Sequence, residues 1–370
     1  MQNEIEIGRN KRGRRTYGLD DVAVVPSRRT RDAEDVSTSW QVDAYHFDIP
    51  IFAAPMDSVM SPETAIQLGQ LGGLGVLDLE GLWTRYENPE PLLTEIAHLE
   101  PNDVHGRIRE IYAEPIKPEL IRERITQLRD AGVVAAGSLS PQRTQEHWKS
   151  VVDAGVDIFF IRGTTVSAEH VSGNREPLNL KRFIYELDVP VIVGGCATYT
   201  AALHLMRTGA AGVLVGFGGG ASQTTWETLG ISVPLASAVA DVAAARRDYM
   251  DESGGRYVHV IADGGLGRSG DIVKAIACGA DGLMVGAALA RATEAPGRGF
   301  HWGSEAHHPT MPRGHRVEVG QVAPLEQILF GPGLSADGTT NLVGALRHAM
   351  ATTGYTELKE FQRVEVVTTR

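Results

Sequence analysis

A (β/α)8 barrel, an α/β fold in a single domain, is the fold class this sequence predicts, on three observations. Eight short apolar runs are each followed by a turn and then an amphipathic stretch. Each run is too short and too uniformly apolar for a half-exposed antiparallel strand, so a buried parallel sheet fits. Glycine recurs where predicted helices turn back into strands, at Gly132, Gly155, Gly209 and Gly279, as a left-handed C-cap requires. A doubly wound open sheet is the alternative the same pattern allows.

The runs lie at residues 49–53, 75–77, 133–136, 158–161, 189–193, 212–215, 257–261 and 282–285. Between them, Ser61 is placed to cap a helix over 62–71, with Glu63 adding favourable charge to its first turn. Helices are predicted over 121–131, ending before Gly132, and over 142–154, ending before Gly155. Thr198 and Thr200 lead into a helix over 201–208, and Ser269 is placed to cap one over 270–278. Residues 1–48 form a strand-rich lead-in, with 21–26 as one piece, and the barrel occupies 49–370. Residues 81–120 hold only a short charged segment. Residues 299–340, with His301-Trp302-Gly303, a His307-His308-Pro309 cluster and a Gly/Pro-rich stretch, predict a flap over the barrel mouth. The chain then reads as a helix followed by a strand near 364–367.

Composition narrows the function. The formal net charge is −11, so a non-specific nucleic-acid binder is disfavoured; the arginine-rich runs at 9–15 and 28–31 read as solvated faces or oligomer contacts. The two cysteines, Cys196 and Cys278, form no CxxC, and the 12 histidines no HExxH, so no metal site is expected. The N-terminus lacks a signal-peptide apolar core, and no apolar run reaches the roughly 18 residues of a membrane span. A soluble, cytoplasmic chain without structural disulfides is expected.

In a barrel the site is built from the loops at the C-terminal strand ends. Ala262-Asp263-Gly264-Gly265 follows the seventh run and Gly286-Ala287-Ala288 the eighth. Their glycines let backbone N–H groups approach an anion, and the last two loops are the usual phosphate site of this fold. Asp263 suits a pair of ribose hydroxyls; the competing reading is a packing glycine pair with a helix-capping aspartate. The sixth run leads into a long Gly-rich loop from Gly216 to Thr225, shaped to wrap a ligand or else a flexible connector.

Several motifs are more specific. Ala54-Pro55-Met56-Asp57-Ser58-Val59, Leu71-Gly72-Gly73-Leu74-Gly75-Val76, Ile261-Ala262-Asp263-Gly264-Gly265 and Thr293-Glu294-Ala295-Pro296-Gly297 together resemble the IMP dehydrogenase/GMP reductase family. So does the tail, with Asn341-Leu342-Val343-Gly344-Ala345-Leu346-Arg347. The resemblance covers nearly the whole chain and is greatest to the bacterial branch that lacks CBS domains. It implies a homotetrameric oxidoreductase of purine nucleotide metabolism that binds a purine 5′-monophosphate, IMP or GMP, beside NAD or NADP. By position it implies that Asp263 holds the ribose and that Gly265, Gly286 and Ala287 line the phosphate. Met56 packs on the base, Gly218 and Gly220 shape the catalytic loop, and Trp302 and Gly303, with His301, close over the nucleotide. In the family a cysteine on the sixth loop attacks purine C2 to form a thioimidate. A dehydrogenase then passes hydride to NAD and hydrolyses the adduct, whereas a reductase expels ammonia and takes hydride from NADPH.

The sequence departs from that pattern at its centre. Gln223 stands at the cysteine position, and a carboxamide is neither nucleophile nor leaving group. Thr225 matches the family's catalytic threonine. Cys196 stands where an asparagine is usual, and Ile161-Arg162-Gly163-Thr164-Thr165 lacks the aspartate used for the cofactor ribose. The flap lacks an Arg-Tyr pair, and Arg298 stands for a glutamate. Cys196 ends the fifth run, so it is a candidate relocated nucleophile facing the cavity, against the plainer reading of a buried small hydrophobe. Three functions are compatible with these residues: an enzyme of the family's type, a catalytically silent nucleotide-binding regulatory protein, and a relative recruited to a modified purine.

Overall fold

In the computed structural model, residues 4–173, 176–217, 219–222, 225–303, 315–333 and 335–369 are described. Eight parallel strands close into a barrel, β1 (Ile51–Ala53), β2 (Leu74–Asp78), β3 (Ala136–Leu139), β4 (Ile158–Arg162), β5 (Val191–Cys196), β6 (Gly212–Val215), β7 (His259–Asp263) and β8 (Gly282–Val285), with β8 pairing back onto β1. Helices α1 (Pro62–Gln70), α2 (Pro118–Asp130), α3 (Pro141–Asp153), α4 (Leu180–Tyr185), α5 (Tyr199–Met206), α6 (Leu235–Ser253), α7 (Ser269–Ala277) and α8 (Leu342–Thr352) complete the eight units. The strands are buried almost throughout, which is why they read as unbroken apolar runs.

All eight runs become strands; the first, fifth and seventh begin two residues later than read, and the third is displaced most, by three. Val133 belongs to the turn after Gly132, and its side chain docks on α1, where a Cβ on Gly69 would come within 2.8 Å of it. Its apolarity serves helix packing, and the strand begins three residues later. The expected cap holds at Ser61, which accepts the Thr64 N–H at 3.1 Å, and of the two threonines leading into α5 it is Thr198 that caps, accepting the Ala201 N–H at 3.3 Å. Ser269 is not a cap. It is the first residue of α7, and the Arg268 N–H just before it donates to the Asp271 carboxylate at 3.1 Å.

The lead-in is strand-rich. Glu4–Gly8 and Lys11–Arg14 form a hairpin, and Val22–Val24 pairs antiparallel with Val366–Thr368, tying the two ends of the chain together. A second hairpin, Trp40–Val42 with Tyr45–Phe47, plugs the N-terminal end of the barrel. The Trp40 ring lies 5.0 Å from that of Phe52, over Gly282, where a Cβ would strike the indole.

Two segments differ from the sequence reading. Residues 81–120 are a small helical layer, with a 3-10 turn at Leu82–Thr84 and helices Glu90–His98 and Val104–Ile111. Leu93 and Ile96, and Val104, Ile108 and Ile111, fall at helical spacing and form a second apolar cluster with Trp83 and Trp302. The predicted flap divides in two. Phe300–His301 pairs antiparallel with Val317–Glu318, while residues 304–314, including His307 and His308, lie outside the described residues. The later part is core: helix Leu325–Phe330 buries Leu325, Ile328 and Leu329 against the barrel. Among the described residues, no helix is long and apolar enough to cross a membrane.

Candidate functional site

The C-terminal ends of β4, β6, β7 and β8 surround a cavity of about 350 Å³, within the range of small-ligand sites. Of the residues the sequence singles out, Met56, Gly220, Asp263, Gly265, Gly286, Ala287 and Gly303 line it. Gly265 has φ +69°, a conformation that favours glycine, and a Cβ on Gly219 would lie 3.4 Å from the Gly265 nitrogen. The loops after β6 and β7 therefore lie backbone to backbone. A Cβ on Gly286 would sit 3.5 Å from His301 Cε1, so the His301 ring rests on the β8 turn.

Asp263 ends β7 and caps no helix. It accepts the Arg162 Nε at 3.0 Å, with Nη2 at 3.5 Å, across the barrel mouth. The segment Ile161–Thr165 carries no carboxylate, and the pairing of Arg162 with Asp263 is a feature of the site that the sequence expectations do not contain. The available signal was a lone arginine ending an otherwise apolar run. Arg268, Asp271, Arg291 and His301 line the cavity as well. Burial pushes the Asp271 carboxyl up, while Lys274 at 3.5 Å acts against it. Burial holds His301 down to about 4, so its ring is neutral near pH 7, with Nδ1 3.0 Å from Ser58 Oγ.

Trp302 does not close over the cavity. Its ring is buried in the helical layer, its backbone N–H donates to Ser58 Oγ at 3.2 Å, and its Nε1 donates to Tyr112 Oη at 3.0 Å. A large apolar ring fills that cluster, while its neighbours His301 and Gly303 reach the cavity. Tyr112 in turn donates to Asp57 Oδ2 at 2.5 Å. Residues 56–58 thus divide the work: Met56 faces the cavity, Asp57 holds the helical layer and Ser58 holds the base of the flap.

Cys196 is not cavity-facing either. It is buried at the end of β5, its Sγ donates to the Leu214 carbonyl at 3.4 Å, and burial pushes the thiol up to about 12. That is opposite to what activates a cysteine. Thr225 is buried at the start of a π-helical turn, Thr225–Leu229, and is not among the residues lining the cavity. Gln223 and Gly218 lie outside the described residues. The Glu294 carboxylate is structural. It accepts from Gln67, Thr293 and the Leu325 N–H, pinning the segment after β8. Among the described residues, no three His, Cys, Asp or Glu side chains gather as metal ligands.

A closed parallel barrel with glycine-built turns after β7 and β8, and arginines in the cavity between them, has at its C-terminal strand ends the place where barrels of this architecture commonly hold a phosphate. A family model described as the IMP dehydrogenase / GMP reductase domain matches residues 16–308, and the chain belongs to that family. An uncharacterized oxidoreductase of Mycolicibacterium smegmatis is 51% identical over 97% of this chain and 98% of its own length. An inosine-5′-monophosphate dehydrogenase of Methanocaldococcus jannaschii is 24% identical over 94% of this chain and 91% of its own. The crystal structure of an IMP dehydrogenase/GMP reductase-like protein from Corynebacterium glutamicum superposes with a TM-score of 0.93 at 49% identity, covering 99% of this chain and 98% of that one.

Proposed function

We propose that this chain is an oxidoreductase-type barrel of purine nucleotide metabolism whose mouth binds a purine 5′-monophosphate, IMP or GMP. The observation that carries this reading is the cavity itself, where Gly265, Gly286 and Ala287 offer a backbone cradle for a phosphate and Met56 a flexible apolar surface for a base. Asp263 lines the same cavity as a ribose acceptor, its carboxylate oriented by Arg162. NAD or NADP, and a homotetrameric, cytoplasmic protein, are what family membership supports. A guanidinium has no acceptor. With Arg162 at the end of β4, the residues present do not fit a dinucleotide ribose in the family's manner.

A second reading, nucleotide binding in a regulatory role without turnover, is favoured by two features: by resemblance Gln223 stands at the nucleophile position, and the Cys196 thiol is buried, which pushes it away from the thiolate. Thermal-shift titration with IMP, GMP, XMP and AMP tests the shared premise, since ligand binding raises stability by mass action. IMP or GMP should raise Tm, and Gly265→Asp should abolish the effect by setting a carboxylate against the phosphate. Equal binding by that variant would place the site elsewhere. NAD(P)H absorbance in both directions separates the two readings.

A further inference from the structure

We infer that Arg291 is the side chain that grips the ligand's phosphate and makes this cavity select a dianionic phosphate ester over a neutral nucleoside; this rests on the nucleotide reading above.

Arg291 ends the short 3-10 turn Leu289–Arg291, just after the β8 turn, and lines the same cavity as Gly265, Gly286 and Ala287. Its Nε is buried with no hydrogen-bond partner, and no carboxylate among the described residues forms an ion pair with it. Leaving a buried guanidinium N–H unsatisfied is unfavourable. An arginine held this way at the wall of a cavity is complete only when a ligand brings the acceptor and the negative charge.

The other charges at the mouth do not compete for it. Asp263 is matched by Arg162 at 3.0 Å. Asp271 is met by Lys274 and by the Arg268 N–H. Two carboxylates against the cations of Arg162, Arg268 and Arg291 leave a positive cavity in a chain of net charge −11. Among the described residues the facing loops offer the cavity one hydroxyl side chain, Ser222, beside Ala221 and Ala287. The backbone amides supply direction, and Arg291 supplies the charge and the planar donor fork that suits a phosphate.

The test uses the full chain with three probes, IMP, inosine and inorganic phosphate, followed by calorimetry and thermal shift. Wild type should bind IMP far more tightly than inosine. Arg291→Met should weaken IMP by roughly 10- to 100-fold, the range of hydrogen bonds to charged groups, and leave inosine binding unchanged. Arg291→Lys should fall between. Inorganic phosphate should raise the Tm of wild type and not that of Arg291→Met. Without ligand, Arg291→Met should be at least as stable as wild type, because it removes a buried Nε–H that has no acceptor, so lost binding would not reflect misfolding. The inference is overturned if Arg291→Met binds IMP as wild type does, if wild type does not distinguish IMP from inosine while binding both, or if phosphate stabilises both proteins alike or neither. If no purine nucleotide binds wild type yet phosphate still stabilises it through Arg291, the anion site stands and the nucleotide reading falls.

Discussion

Arg162 at the end of β4 and Asp263 at the end of β7 meet across the barrel mouth, Nε to Oδ2 at 3.0 Å, with side chains only 9% and 10% exposed. In so dry a place, removing one partner of an ion pair leaves the other without compensation. Arg162→Met is therefore expected to cost about 3–5 kcal/mol. Adding Asp263→Asn should recover much of that loss, because the stranded charge goes with it. Urea denaturation of the two single variants and the double variant gives the coupling directly. If the single losses simply add, the pair does not act as a unit.

Tyr112 ties the helical layer to two parts of the site at once, through Asp57 and through Trp302. Tyr112→Phe keeps the ring and deletes the hydroxyl. Asp57 still accepts the Leu82 N–H at 3.0 Å, but the buried Trp302 Nε1 loses its acceptor. A loss of about 1–3 kcal/mol is expected, read as a lower urea midpoint with unchanged slope. Because His301 and Gly303 flank Trp302 and line the cavity, IMP affinity should fall as well. An unaltered midpoint would mean that this link contributes nothing to the fold.

The barrel was legible because its parallel strands are buried on both faces, so an apolar run and a strand nearly coincide, as in β4 and β6. Where apolarity had another cause the coincidence failed, as with Val133, which packs on a helix. The helical layer was hidden by its solvent side: Glu95, Arg107 and Glu110 are paired outside while Leu93, Ile96 and Ile108 are buried, and the charges dominate the eye. At the site, glycines that shape turns could be read from position along the chain. The arginines could not, because Arg162 finds Asp263 across 101 residues of sequence and Arg291 is notable only for lacking a partner. The resemblance sets Trp302 over the ligand together with His301 and Gly303, but alternate residues of the strand Phe300–His301 and its continuation face different cores, so only its neighbours reach the cavity.

His301 sets a pH dependence of stability. Burial holds it down to about 4, against about 6.5 in an unfolded chain. Between those values the unfolded chain takes up a proton that the folded chain refuses. Stability is therefore complete above pH 6.5 and falls as pH drops through the window, by up to about 1.4 kcal/mol per unit. Burial holds His259 and His147 low as well, so they add slope of the same sign. His301→Asn should flatten the curve of unfolding free energy between pH 7 and 4.5 without removing it. A slope unchanged in the variant would show that His301 takes up its proton in the folded state.

The two native cysteines and one introduced thiol test the covalent step. Burial pushes Cys196 up to about 12 and the half-buried Cys278 up to about 11, and the Cys196 Sγ is also bonded to Leu214. Alkylation requires the thiolate. At pH 8 Cys278 should thus react with iodoacetamide faster than Cys196, and IMP should protect neither, since neither lines the cavity. Intact mass after incubation with IMP should show no adduct on the native chain. Gln223→Cys places a thiol in the Gly-rich loop between Ser222, which lines the cavity, and Thr225. That thiol should react faster than either native one and should be protected by IMP. Rapid, IMP-protected labelling of Cys196 in the native chain would instead restore it as a nucleophile and overturn its placement against β6.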